Sequence, residues 1–134
     1  SEVHGALKRA EVARLLFFED KRPRILLLAF KEFLYHGARY AFPALRGALV
    51  VGLPTAYAAA PLNAHIAPSS DPVPVWPFIG GPVRGGSVVP LYSSAPAAAA
   101  RSPALYENLA LFDALRMGNA RERALAQDLF GARL

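Results

Sequence analysis

Over residues 1–16 the polar and apolar positions recur at helical spacing. Val3, Ala6, Leu7, Ala10 and Ala13 fall on one side, and His4, Lys8 and Arg9 on the other. Ser1 stands where an N-cap belongs, and the stretch FFEDKRPR that follows reads as a basic turn between two short strands. A second stripe of Ile25, Leu28, Ala29, Phe33 and Leu34 predicts a helix from Ile25 to about His36, with Gly37 as its C-cap. Leu26 and Phe30 widen that stripe, so the helix is expected to be covered on two sides. Residues 39–43 alternate and then meet Pro43, which suits a short strand.

Ten of the chain's twelve prolines lie between Pro54 and Pro103, and that spacing forbids long helices. The same stretch carries Leu53, Tyr57, Leu62, Val75, Trp76, Phe78, Leu91 and Tyr92. Burying a large apolar side chain is worth roughly 1.5–3 kcal/mol, so the segment is expected to be an ordered, irregular layer over a core. Short strands are expected at 48–51 and 87–91, with Gly80-Gly81 and Gly85-Gly86 as turns. The alanine-rich run at 95–100 is a short helix or a spacer. Ser102 and Pro103 then open a helix carrying Leu105, Leu109, Phe112 and Leu115 up to Gly118. Asn119 with Glu122 three residues later has the spacing of a capping box. A two-helix hairpin follows, expected to pack Leu105, Leu109, Phe112, Leu125 and Leu129 together.

These elements make an α+β chain, mostly helical, in three parts: 1–46, 47–103 and 104–134. A hydrophobic fraction of 54% with 19% charged residues excludes global disorder. Without cysteine, neither disulfides nor thiolate metal sites arise, which fits a cytoplasmic protein. The longest charge-free stretch near the middle, 47–70, is broken by Pro54, Pro61, Asn63, His65 and Pro68, and a membrane span would tolerate that badly. No signal-peptide pattern opens the chain.

Charge is concentrated at the start. Residues 1–46 hold nine Lys or Arg against five Asp or Glu, and residues 47–134 hold six against five. Such asymmetry points to a polyanionic partner for the opening segment, or to a solvated basic face.

His4, His36 and His65 are far apart and show no metal-ligand spacing, so neither a metal nor another cofactor is expected and the chain does not read as an enzyme. A small hydrolase would need His36 or His65 to converge with Asp71. The segment at 80–87 lacks the Lys and the Ser/Thr pair of a phosphate loop. Trp76, between Pro74 and Pro77, is either a rigid binding anchor or a core plug, and with Phe78 and Tyr92 it is the candidate surface for a protein partner.

The capped helix, short strand, basic turn and second strand over residues 1–25 resemble the last helix and wing of a winged helix-turn-helix domain, as in MarR-type bacterial regulators. The first helices of that motif have no counterpart among these residues. In the family a glycine is common where Arg14 stands, which implies a differently built turn here, and Pro23 is expected to limit pairing in the wing. The resemblance implies base-edge contacts from Ser1, His4, Gly5, Lys8 and Arg9, and phosphate contacts from Lys21, Arg22 and Arg24. Tyr35, His36, Gly37 and Arg39, with Pro54 to Tyr57 and the run Asp113 to Arg116, are similar to a group of bacterial winged-helix proteins in which a proline-rich segment follows a MarR-like start. The second resemblance bears on lineage more than on chemistry, and the first implies a DNA-binding regulator or the repressing antitoxin of a small operon. One short helix reads few base pairs, so a homodimer on two half-sites is expected. A module that clasps a partner chain through its apolar centre is the alternative.

Overall fold

The computed structural model describes residues 1–134 and is of the α+β class, with small sheets and a C-terminal helical hairpin. Ser1 caps helix α1 (Glu2–Val12), its hydroxyl accepting the His4 N–H at 3.2 Å. The helix ends in a Schellman motif: the Leu15 N–H reaches the Ala10 carbonyl and the Arg14 N–H that of Glu11, each at 2.9 Å. Arg14 therefore takes the left-handed conformation, with φ of 61°. The turn is built as a glycine would build it, contrary to expectation, with a side chain carried at a cost of about 1–2 kcal/mol. Arg14→Gly is accordingly expected to stabilise the end of α1 by about 1 kcal/mol, read as roughly fivefold slower amide exchange at residues 10–15. Unchanged or faster exchange there would contradict the motif.

The strands β1 (Leu16–Glu19) and β2 (Arg22–Ile25) pair antiparallel from Leu16↔Ile25 to Glu19↔Arg22. Asp20 and Lys21, with φ of 51° and 65°, form the two-residue turn of the type in which both central residues are left-handed. Pro23 lies opposite Phe18, one step from the closing pair Glu19↔Arg22. Ladder bonds alternate along an antiparallel pair, so the missing proline N–H falls at a position that makes no cross-strand bond. Pro23 does not limit the pairing.

The following helix departs from its expected limits. Ile25 belongs to β2, and the helical stretch runs through α2 (Leu27–Glu32), a π-helical turn (Phe33–Gly37) and α3 (Ala38–Ala41). Gly37 is not a C-cap, because the helical stretch continues through it, and the strand expected at 39–43 is mostly helix. The reason lies in packing: Leu34 and Ala38, one turn apart, are both buried in the main core, and the Tyr35 hydroxyl donates to the Gln127 carbonyl at 3.1 Å.

The proline-rich region builds a three-stranded closed sheet. Strand β3 (Arg46–Pro54) pairs antiparallel with both β4 (Pro74–Pro77) and β5 (Val83–Val88), while β4 and β5 pair in parallel. Gly85 and Gly86 lie inside β5 rather than in a turn. A Cβ on Gly85 would collide with the Val73 carbonyl, and one on Gly52 with that of Trp76, so these glycines allow the strands to close. Gly80, with φ of 79°, does sit in a turn.

Helix α4 (Ala95–Ala100) leads into α5 (Pro103–Met117) and α6 (Ala120–Gly131). Ser102 caps α5 and the Asn119–Glu122 box caps α6, as the sequence indicates. Every residue of α5 from Leu109 to Arg116 is buried, because α6 packs on one side and α4, the turn at 56–58 and α3 on the others. The core divides accordingly. Phe112, Leu125 and Leu129 join Leu34, Leu111, Leu115 and Phe130, whereas Leu105 and Leu109 turn to Trp76 instead of α6.

At the centre sits a buried carboxylate. Asp113 Oδ2 accepts from the Thr55 hydroxyl at 2.6 Å and the Trp76 indole at 2.8 Å, and Oδ1 accepts from Arg116 Nε at 2.8 Å. Arg116 also donates to the carbonyls of Phe42 and Val89. No buried side-chain polar atom lacks a partner.

Candidate nucleic-acid interface

Helix α1 has no buried residue. The inward stripe expected for it does not materialise: Val3 is 70% exposed, Ala6 and Ala13 are exposed, and Leu7 and Ala10 are half-buried. Its neighbour is β1, and one strand covers too little of a helix to bury a stripe. The capped N-terminus of α1 and the outer face of the helix are correspondingly open.

Strand alternation sets the hairpin's faces. Leu16, Phe18, Pro23 and Ile25 share one face, and Phe17, Glu19, Arg22 and Arg24 share the other. Lys8 Nζ lies 5.8 Å from the centre of the Phe18 ring, so the first face looks toward α1. Arg22 and Arg24 project from the side away from the helix. Lys8, expected at a base edge, leans toward the hairpin instead and lies 3.6 Å from Glu11. Arg9 folds past Gly5, where an added Cβ would stand 3.4 Å from its guanidinium. Ser1 is exposed with its hydroxyl occupied by the cap, and His4 is exposed. The expected contact residues thus form two groups: Ser1, His4, Gly5 and Arg9 along α1, and Lys21, Arg22 and Arg24 at the tip and outer face of the hairpin.

Most cations of the chain lack an ion-pair partner, so what sets these apart is that they are gathered within residues 9–24. The ion pairs of the chain are Lys8–Glu11, Asp113–Arg116 and Glu107–Arg133. Arg9, Arg14, Lys21, Arg22 and Arg24 are all exposed and none has a carboxylate partner. Arg14, held at the junction of helix and hairpin, is the cation that helical spacing did not single out. Its signal in the sequence was the replacement of a turn glycine.

The other candidates fall elsewhere. Trp76 is 1% exposed, with its indole hydrogen-bonded to Asp113, so it is a core residue and offers no surface to a partner. Phe78 is half-buried and Tyr92 is 43% exposed. His36 lies in the π-helical turn, and the His65 carbonyl faces Arg121 of α6. No three His, Asp or Glu side chains gather as a metal-binding group, and no helix is long and apolar enough to cross a membrane.

No protein family, curated protein or solved structure matches this chain.

Proposed function

We propose that the chain binds double-stranded DNA and acts as a dimeric transcriptional regulator or an operon-repressing antitoxin. The observation that carries the reading is the set of five exposed, unpaired cations on an open capped helix and the hairpin beside it. Charges without internal partners have no competing contact to give up when a phosphate approaches. In this mode the N-terminal turn of α1 enters the major groove, where free backbone N–H groups and His4 meet base edges. Arg9 and Arg14 follow the strand beside it. The hairpin tip carries Lys21, with Arg22 and Arg24 on its outer side, to the flanking backbone.

Salt provides the test. A duplex titration of the full chain is expected to lose about a thousandfold or more in affinity between about 50 and 200 mM salt if six or more phosphates are engaged. Affinity that barely changes across that range would overturn the reading.

A second reading, a protein-interaction module, is favoured by one observation. Leu49 and Val51 alternate on the outer face of β3 and are about half exposed, and Ile79 is fully exposed at the nearby turn. An apolar interface there would respond little to salt, so the same titration separates the two.

A further inference from the structure

An apolar cavity of about 460 Å³ opens between the end of β3, the turn at 58–60, α4 and the start of α5. It exists because small side chains meet there. Ala58, Ala59, Ala60, Ala99 and Ala100 line it together with Pro54 and Pro103. Methyl groups and proline rings cannot fill such a space, and its size lies within the range of small-molecule sites, roughly 300–1,000 Å³.

Its polar lining groups are the Tyr106 hydroxyl, the Glu107 carboxylate and the Asn63 carboxamide. The Tyr106 hydroxyl spends its hydrogen on the Pro54 carbonyl at 2.6 Å, leaving lone pairs available. Glu107 receives Arg133 on Oε1 at 2.7 Å, which balances its charge and leaves Oε2 free. The Asn63 carboxamide makes no hydrogen bond within the chain and stands at the wall shared with a second cavity of about 260 Å³. A cation would gain little from a carboxylate already neutralised, and an anion would meet the Glu107 carboxylate and the Tyr106 lone pairs, with only the Asn63 carboxamide to donate to it. The apolar walls and the Tyr106 and Glu107 oxygens together suit an uncharged, apolar ring that donates one hydrogen bond.

We propose that this cavity is a binding site for a small neutral aromatic compound bearing an N–H donor. The body of the ligand lies between the alanines of the 58–60 turn and those of α4, and its N–H points to the Tyr106 and Glu107 oxygens. Tyr106 in turn lies against Trp76, with ring centres 5.4 Å apart, so the floor of the site is fixed to the buried Asp113 network. The proposal is independent of DNA binding and is tested without it.

Indole is the probe, titrated into the isotopically labelled full chain while amide resonances are followed. Saturable shifts are expected at residues 58–63, 99–100 and 106–107. Ala100→Leu, an exposed helical position whose side chain would enter the cavity, is expected to weaken binding at least tenfold. Ala97→Leu, exposed on the same helix but outside the cavity, should leave binding unchanged. 1-Methylindole, which cannot donate, is expected to bind about three- to tenfold more weakly. Absence of saturable shifts at millimolar indole, or shifts insensitive to Ala100→Leu, would overturn the site. Equal binding of 1-methylindole would overturn the assigned donor.

Discussion

Asp113→Ala is expected to cost about 3–5 kcal/mol, a large share of the roughly 5–15 kcal/mol that holds a typical domain together. The carboxylate is 1% exposed and accepts from Thr55 and Trp76, 58 and 37 residues away, and from Arg116 one turn further along its own helix. Its removal strands the Arg116 guanidinium, 4% exposed, without its counter-charge, and leaves a hydroxyl and an indole N–H without their acceptor. A buried pair broken on one side costs far more than the pair is worth, because the remaining charge is trapped out of water. Replacing both partners, as in Asp113→Leu with Arg116→Met, is therefore expected to be less damaging than Asp113→Ala alone. Urea unfolding followed by circular dichroism reads both. A loss below about 1 kcal/mol for the single variant would show that the network does not hold the sheet to the helical hairpin.

Reversing the hairpin's charge should separate binding from stability. Arg22→Glu with Arg24→Glu is expected to lower duplex affinity on the order of a hundredfold at moderate salt and to reduce the salt slope by about two. Both side chains are exposed, unpaired and on the face of the hairpin turned away from α1, so the unfolding midpoint should stay nearly constant. Equal loss from a matched reversal at Arg121 and Arg123 would indicate general attraction between a basic chain and DNA, with no role particular to the hairpin.

What the sequence disclosed was local. The caps of α5 and α6 are written within four residues, because the Ser102, Asn119 and Glu122 side chains satisfy N–H groups at their own helix start, and Pro103 has no N–H to satisfy. The basic turn at 20–24 was visible for the same reason. Features set by distant parts of the chain were not. Gly37 has the look of a helix end, yet Ala38 is needed in the core and the helix continues through it. Strand β4 is short and proline-bounded, and its partners lie on either side of it in sequence, so nothing nearby announced it. Trp76 could be read as anchor or plug until its indole was placed on Asp113, 37 residues away.

The site shows the same division. Its cations were countable from the sequence, but their directions depend on hairpin register, which put Arg22 and Arg24 opposite the helix and Phe18 beneath the still-exposed Lys8. The apolar stripe of α1 was legible as a pattern, and whether it is buried depends on what lies against it.

The most direct test of the interface is a map of amide resonances on adding a duplex of about two helical turns at low salt. Shifts concentrated in residues 1–9, at Arg14 and in residues 20–24, with α5 and α6 unchanged, are expected. Shifts spread evenly over the exposed arginines of the chain, or confined to the outer face of β3, would contradict it.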